Sequence, residues 1–385
     1  MPHFHVDGGL TQSPYGTYNP ASETHQETTF YLAETSDLGK GTYRKHPQGF
    51  IKIAGAAIAA GVEGNVLKGG TADAGGGPGA GVTVPQDEMP KGMTFLTFRK
   101  NGEYGLGVKT DKGILDVGAA SRMFKKESPT TIDDVILGGD RGLTALVRTA
   151  LDSDKAKRLF LDESRIEFGP CVTNPEKILV LGFNYRKHAI ETNTPIPASP
   201  VLFTKCNNAL NGHNGVIKLP THVATQFDYE AELVVVIGKT AYRVSEADAL
   251  SHVFGYCAGN DFSARDLQRK TSQFLLGKTC DGFAPIGPYL VTADQIPDPN
   301  ALKLECYVNG ERRQSSNTSD MIFNVKTIIS YASQHFTLKP GDIFFTGTPE
   351  GVINGMPKEK QVWLKAGDQL TTVIDKLGEL KFALV

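Results

Sequence analysis

Two glutamates at the start of an apolar run are the residues whose types and spacing most clearly indicate chemistry. Glu230 and Glu232 stand one residue apart, next to the run 233–237. Residues i and i+2 of a strand point to one face, so both carboxylates are predicted to project together. Like charges held side by side require a neutralising partner. Oxygen ligands favour a hard cation, which predicts Mg²⁺ or Mn²⁺; two solvated acids at an exposed strand end are the alternative.

A third carboxylate follows a second strand-like segment. Asp261 ends the run 254–261, which is predicted to be a strand that breaks into a short helical segment. Mg²⁺ in proteins usually takes few carboxylates and keeps positions open for water and substrate. Glu230, Glu232 and Asp261 are therefore predicted to be the metal ligands.

A histidine and a glutamate at helical spacing predict a general base. His188 and Glu191 are three residues apart, which places them on one face of a helix. A carboxylate that hydrogen-bonds an imidazole fixes its tautomer and raises its basicity, so the pair is suited to activating water. The alternative is a surface histidine beside a solvated glutamate.

Lys278 lies in a Gly-Lys-Thr sequence that is like the end of a phosphate-binding loop. That loop requires a glycine five residues before Gly277, and Ser272 stands there, so nucleotide binding is not predicted. A lysine near a metal can instead stabilise an oxyanion or enolate that develops on a substrate. A surface lysine is the alternative.

Other polar residues are suited to holding a carboxylate. Arg265 and Gln268 follow Asp261 at helical spacing, and arginine can grip a carboxylate bidentately. Thr348 lies in a tight turn whose backbone N–H groups and hydroxyl could do the same. A surface helix face and ordinary turn chemistry are the respective alternatives.

Five sequence blocks in order across about residues 175–385 resemble the fumarylacetoacetate hydrolase family, and the segment 93–170 resembles the leader domain that many bacterial members carry. The blocks are GFNYRKHAIE (182–191), DYEAEL (228–233), GNDFSARD (259–266), GKTCDGF (277–283) and TGTPEGV (346–352).

The resemblance implies a strand-rich α+β fold, a mixed β-roll with flanking helices and a small N-terminal α/β module. It places a small N-terminal domain at 93–170 and a catalytic domain at 171–385, while composition predicts that residues 1–92 are a disordered or leader-like extension. It also implies a homodimer.

The resemblance further implies roles for particular residues. His188 and Glu191 would lie on a segment that orders over the site, and Asp281 would be the partner of Lys278. Arg265 and Gln268 would line the pocket and face the variable end of the substrate. Lys205 resembles a lysine that is followed by proline in relatives. Here Cys206 follows it, so Lys205 is assigned no role.

The implied activity is metal-dependent hydrolysis of a C–C bond in a small β-diketo 2-oxo acid of the acylpyruvate type. In that reaction the metal and Lys278 would stabilise the leaving enolate. Decarboxylation of oxaloacetate, hydration of a 2-oxo-4-enoate and tautomerisation are alternatives that use the same site. A non-catalytic protein that binds 2-oxo acids is the alternative from another class.

Composition excludes several other classes of function. The 385 residues carry a net charge of −2, so no basic surplus favours nucleic acid, and no apolar run reaches membrane-spanning length. Five cysteines without CxxC spacing predict reduced thiols. The apolar segment 50–62, followed by Ala-Asp-Ala at 72–74, is similar to an export signal, but Pro47 and Gln48 stand where an arginine pair would be. A cytoplasmic location is expected, with export as the alternative.

The elements that must position these residues are mostly strands. Asn-Gly pairs at 101–102 and 309–310 predict hairpin turns. Apolar periodicity predicts helices at 131–137, 142–153 and 323–334, and strands at 178–181, 232–237, 253–258, 302–308 and 342–346.

Overall fold

The computed structural model of the chain describes residues 88–385 and two short strands before them. Those two strands belong to a first compact unit, residues 1–78, and pair antiparallel with Tyr43 opposite Ile53. The second compact unit comprises residues 79–385. Nearly all of the predicted leader-like extension lies outside the described residues, so the export alternative and the expected location stay predictions.

Strands make up most of the regular structure in the described part of the chain. They are β1 (Tyr43–Lys45), β2 (Ile51–Ile53), β3 (Thr94–Lys100), β4 (Glu103–Thr110), β5 (Gly113–Asp116), β6 (Phe160–Leu161), β7 (Ile178–Gly182), β8 (Val201–Lys205), β9 (Leu210–Asn211), β10 (Gly215–Ile217), β11 (Phe227–Asp228), β12 (Ala231–Ile237), β13 (Val253–Asn260), β14 (Ser263–Ala264), β15 (Ala284–Thr292), β16 (Lys303–Val308), β17 (Glu311–Asn317), β18 (Ile343–Phe345), β19 (Gln369–Ile374) and β20 (Gly378–Leu384).

Helices are fewer and mostly short. The α-helices are α1 (Val117–Phe124), α2 (Ile132–Gly138), α3 (Leu143–Leu151), α4 (Arg186–Glu191), α5 (Glu246–Ala249), α6 (Arg265–Gln268), α7 (Leu275–Lys278) and α8 (Val325–His335). Short 3₁₀ segments lie at Asp154–Leu159, Glu163–Arg165, Asn207–Ala209, Leu250–His252, Ala293–Gln295, Thr318–Asp320, Ile353–Gly355 and Lys358–Lys360.

One large mixed sheet runs through residues 94–345. Its strand order is β6-β5-β4-β3-β15-β13-β12-β18-β7-β8, and β9 pairs with β15 at the side of this path. The pairs β18–β7 and β15–β9 are parallel, whereas β12 pairs antiparallel with both β13 and β18. All residues of β12 and β13 are buried, so these two strands form the centre of the core.

A second sheet covers the central strands. Its order is β10-β20-β19-β16-β17, and its strands contact β12, β13 and β15 of the large sheet. The prediction of a strand-rich α+β fold, a mixed β architecture and a small N-terminal α/β module is therefore confirmed. The division at residues 92 and 170 and the homodimer stay predictions.

Both predicted hairpin turns are present. Asn101 and Gly102 connect β3 to β4, and Asn309 and Gly310 connect β16 to β17. All four residues have positive φ, at 54° and 85° in the first turn and 51° and 83° in the second. Asparagine and glycine tolerate this left-handed backbone, which explains why an Asn-Gly pair favours a two-residue hairpin.

The longest α-helix among the described residues begins later than the sequence predicted. It starts at Val325, because the Asn324 side chain accepts a hydrogen bond from the Thr327 backbone N–H and caps the first turn. Its apolar residues Val325, Ile328, Ile329 and Ala332 are buried. No helix in the described part of the chain is both long enough and apolar enough to cross a membrane.

A partly buried histidine makes the stability of the fold depend on pH. His213 packs against Phe168, with ring centroids 4.8 Å apart, and its Nδ1 accepts a hydrogen bond from the Lys381 backbone N–H at 3.1 Å. Burial, with the Lys381 charge, lowers the pKa of His213 from 6.5 to about 4. At pH values between these two pKa values, His213 binds a proton in the unfolded chain but not in the folded protein, so the stability of the fold decreases as the pH falls.

We expect His213→Gln to remove this contribution. As the pH falls from 6.5 to 4.5, the free energy of unfolding of the unsubstituted protein should decrease by about 1 kcal/mol more than that of the variant. Solvent screening of the half-exposed ring limits the difference to this size. Urea denaturation at several pH values measures the difference. His222→Gln, at an exposed histidine, is the control. Parallel pH profiles for the protein and His213→Gln would contradict the assignment.

Candidate active site

The pairing of β12 with β13 brings the three predicted ligands together. Ala231 lies opposite Asn260 in this antiparallel pair, and the Asp261 backbone N–H donates to the Glu230 carbonyl at 2.9 Å. The same register therefore places Asp261 across from Glu230. Glu232 lies two residues further along β12, on the same face as Glu230.

The three carboxylates converge in a buried place. One oxygen atom from each of Glu230, Glu232 and Asp261 lies within 4.8 Å of the others. These residues are only 5%, 1% and 1% exposed. Convergent buried carboxylates are the ligand type that a hard divalent cation requires, so the residues present fit such an ion.

Electrostatics favours a further positive charge at this cluster. Burial, with Asp261 and Glu230 nearby, raises the pKa of Glu232 well above its usual value. Burial also acts to raise the pKa of Glu230, but the charges of Arg265 and Lys278 hold that pKa well below its usual value. The protein's own cations thus compensate Glu230 more fully than Glu232.

Two buried lysines contact the cluster. Lys278, at the end of α7, donates from Nζ to the carboxylates of Glu230 and Asp261, the latter at 2.6 Å. Lys205, at the end of β8, donates to Asp261 and to the Phe262 carbonyl at 3.2 Å. Burial opposes the charge of Lys278, yet Asp261 and Glu230 raise its pKa above the usual value. The ammonium group of Lys278 shows that a cation fits between these carboxylates.

Arg265 is held by carboxylates of the protein itself. Its Nε donates to Asp228 at 2.9 Å, its Nη2 to Glu230 at 2.7 Å and its Nη1 to the Gln268 side-chain oxygen at 2.9 Å. Asp228 also accepts hydrogen bonds from the backbone N–H groups of Ile353 at 2.9 Å and Asn354 at 3.0 Å. Asp228 therefore ties the guanidinium to the 353–355 turn.

The predicted general base and its orienting carboxylate contact each other on α4. His188 Nδ1 lies 3.2 Å from Glu191 Oε2, and Glu191 Oε1 accepts a hydrogen bond from the Gly351 backbone N–H at 2.9 Å. A Cβ atom on Gly355 would lie 2.3 Å from the Glu191 carboxyl carbon, so this approach requires glycine. His188 is buried, and because Glu191 engages Nδ1, Nε2 is the ring nitrogen that Glu191 leaves free.

A cavity of about 390 Å³ contains most of the predicted site. Its apolar lining residues are Leu181, Phe183, Phe203 and Phe274, and threonines, Arg269 and Asn354 are among its polar ones. The predicted residues that line it are His188, Glu230, Glu232, Asp261, Arg265, Gln268, Lys278 and Thr348.

Asp281 does not take the place that the resemblance implied. It is exposed, lies outside the cavity lining, and accepts a hydrogen bond from Asn208 Nδ2 at 2.7 Å. The chain turns away after α7, because the Gly282 backbone N–H bonds to the Asn208 carbonyl at 3.1 Å. Lys278 consequently pairs with Glu230 and Asp261 instead.

The turn with Thr348 also differs from expectation. The Gly347 backbone N–H donates to Glu232 at 2.7 Å, so the turn holds a carboxylate of the protein. The Thr348 hydroxyl donates to the Ala231 carbonyl at 3.1 Å and accepts from Gln314 Nε2 at 2.9 Å. The turn thus orients Glu232, although Thr348 still lines the cavity.

The sequence analysis assigned no role to three polar residues of this site. Asp228 is the first residue of the DYEAEL block, Lys205 ends a strand-like run, and Arg269 stands four residues after Arg265. The spacing of Arg269 was a usable signal, because residues i and i+4 share a helix face. No local pattern directs Lys205 or Asp228 into the site.

Comparison with known proteins agrees with this geometry. Residues 177–385, more than half of the chain, match the model of the C-terminal domain of fumarylacetoacetate hydrolase. The mitochondrial oxaloacetate tautomerase fahd2 of Xenopus laevis is 40% identical over 283 residues, covering 73% of this chain and 85% of that protein. Oxaloacetate tautomerase YisK of Bacillus subtilis (strain 168) is 39% identical over 298 residues, covering 75% and 98%.

A solved structure is similar as well. Fumarylpyruvate hydrolase from Pseudomonas aeruginosa, in complex with Mn²⁺ and pyruvate, is 33% identical with a TM-score of 0.50. The match covers 57% of this chain and 91% of that chain.

We expect Glu232→Gln and Asp261→Asn each to weaken Mn²⁺ binding by at least about tenfold, because each removes a charged ligand from a three-carboxylate set. Electron paramagnetic resonance of free Mn²⁺ during titration measures the dissociation constant. Glu311→Gln, at an exposed carboxylate, is the control and should leave it unchanged. Unaltered affinity in both ligand variants, with folding intact by circular dichroism, would contradict the assignment.

Proposed function

The chain belongs to the fumarylacetoacetate hydrolase family, and from this premise we propose that it is a tautomerase that interconverts the keto and enol forms of a short 2-oxo acid such as oxaloacetate. The observation that carries the proposal is the buried three-carboxylate cluster with Lys278 in contact, at one cavity with His188. Family membership also makes the chain an enzyme, not the non-catalytic binding protein considered as an alternative.

Tautomerisation requires only a proton transfer. A C–H bond next to the 2-oxo carbon breaks and an O–H bond forms at the oxo oxygen; the reverse reaction breaks this O–H bond and re-forms the C–H bond. The site must therefore stabilise negative charge on that oxygen and must hold a base near the adjacent carbon. A divalent cation held by Glu230, Glu232 and Asp261 would supply Lewis-acid polarisation of the 2-oxo group.

Lys278 supplies fixed positive charge to the cavity. Its ammonium group is buried and its pKa is raised by Asp261 and Glu230, so it stays charged at neutral pH. A preorganised charge in a site of low dielectric constant stabilises a developing enolate more than the neutral ketone. Lys278 thus lowers the barrier to forming the enolate and is a proton donor of fixed position.

His188 is the base in this proposal. Glu191 engages Nδ1, so the opposite nitrogen is available to remove and return the proton at carbon. The Gly351 N–H fixes the other oxygen of Glu191, which keeps the imidazole in one orientation.

Hydrolysis of a C–C bond in an acylpyruvate is the second candidate. The His188–Glu191 pair favours it, because the same base can deprotonate a water molecule. The similar fumarylpyruvate hydrolase acts by name on such a substrate. Tautomerisation is preferred because the two tautomerases are 40% and 39% identical to this chain over 73% and 75% of its length, whereas the fumarylpyruvate hydrolase is 33% identical over 57%.

We expect the Mn²⁺-loaded protein to accelerate loss of the enol absorbance of oxaloacetate, and Lys278→Gln to lower kcat by about a hundredfold or more because it removes the fixed charge. Stopped-flow ultraviolet spectroscopy measures the rate, and Mn²⁺ binding confirms that the variant keeps its cluster. Lys270→Gln, at an exposed lysine, is the control. Absence of acceleration by the unsubstituted protein would refute the proposed function.

His188→Gln tests the base, and the rates of the unsubstituted protein with the two substrates separate the two candidates. Tautomerisation should fall by about a hundredfold or more because the base at carbon is lost. Acylpyruvate cleavage, followed as pyruvate release, should be slow in the unsubstituted protein relative to tautomerisation. Cleavage of an acylpyruvate with a kcat/KM well above that for oxaloacetate would replace tautomerase by hydrolase as the main activity.

A further inference from the structure

We propose that Arg269 recognises a second carboxylate on the substrate, which makes the site selective for short dicarboxylic 2-oxo acids. The inference rests on the proposed function, because it assumes that the 2-oxo acid end of the substrate lies at Glu230, Glu232 and Asp261. Arg269 would then determine specificity at the distal end of the same cavity.

Arg265 is poorly suited to that role, although it lines the cavity. It is 3% exposed, and its charge is compensated by Asp228 and Glu230 at 2.9 and 2.7 Å. A third donor is engaged by Gln268. A guanidinium held by two carboxylates gains little from a third, so Arg265 is a positioning residue for Glu230.

Arg269 has the opposite environment. It directly follows α6, and its backbone N–H donates to the Arg265 carbonyl at 3.1 Å. Its guanidinium donates only to the side-chain amide oxygens of Asn354 and Gln226, and it forms no ion pair with any carboxylate in residues 88–385. It is exposed and lines the cavity, so its positive charge is uncompensated and available.

The neighbours of Arg269 present donors to the same region. The Gln268 side-chain oxygen accepts from Arg265, and the Asn354 side-chain oxygen accepts from Arg269. Each amide therefore keeps its NH₂ group free to donate, and both residues line the cavity. A guanidinium flanked by amide donors is suited to a carboxylate, which only accepts hydrogen bonds.

The nearest acid in the sequence does not neutralise this region. Asp266 Oδ2 accepts from the Thr225 backbone N–H at 2.6 Å, and Oδ1 accepts from the Leu267 backbone N–H at 3.0 Å. Both oxygens of Asp266 are thus engaged by backbone groups. The positive charge of Arg269 is therefore available to pair with a charged group of a ligand.

Two stable ligands that differ only at the distal end test the inference. Malate and 2-hydroxybutanoate share a 2-hydroxy acid end, but malate carries a carboxylate where the other carries a methyl group. Isothermal titration of the full-length Mn²⁺-loaded protein gives both dissociation constants. We expect malate to bind at least about tenfold more tightly, as a charge-assisted hydrogen bond implies.

Arg269→Gln should weaken malate binding by about ten- to a hundredfold and leave 2-hydroxybutanoate within about twofold. Arg269→Lys should restore part of the preference, because it keeps the charge without the planar fork. Lys270→Gln is the matched control, since it removes an adjacent exposed charge that does not line the cavity.

Three results would overturn the inference: binding of neither ligand, equal binding of both by the unsubstituted protein, or an unchanged preference in Arg269→Gln. The measurement requires no turnover. A protein that shows the Arg269-dependent preference but fails to tautomerise oxaloacetate therefore refutes the proposed function and leaves the inference standing.

Discussion

The free-energy cost of burying three carboxylates side by side is the constraint that arranges the site. Glu230, Glu232 and Asp261 leave water together, and each uncompensated charge in such a place costs several kcal/mol. The fold supplies Lys278 and Arg265 to Glu230, Lys205 to Asp261, and a backbone N–H to Glu232. Glu232 is the least compensated of the three, which is why the cluster fits a divalent cation.

The residues that compensate the buried carboxylates also position the base, His188. Asp228 holds Arg265 and accepts from the backbone of the 353–355 turn. The glycine at the end of that turn leaves room for Glu191, which in turn holds His188. The carboxylate cluster and the base are thus connected through one buried ion pair, so a change at Asp228 would disturb both.

Local sequence patterns predicted those parts of the molecule that depend on backbone periodicity. The two-residue period of a strand placed Glu230 and Glu232 on one face, and the three-residue helical spacing paired His188 with Glu191. The hairpin turns followed from asparagine and glycine at positive φ. Each of these features involves residues within a few positions of one another, so conformational preference alone determines them.

Tertiary packing decided how distant segments meet. The register of β12 against β13 placed Asp261 opposite Glu230. The ends of β8 and α7 placed Lys205 and Lys278 in contact with Asp261. The same packing turned Asp281 outward and engaged Arg265 with acids of the protein, contrary to expectation. The sequence by itself thus determined which residues share a face. Only the tertiary structure decided which charges meet, because strand register and loop direction depend on contacts between segments far apart in the chain.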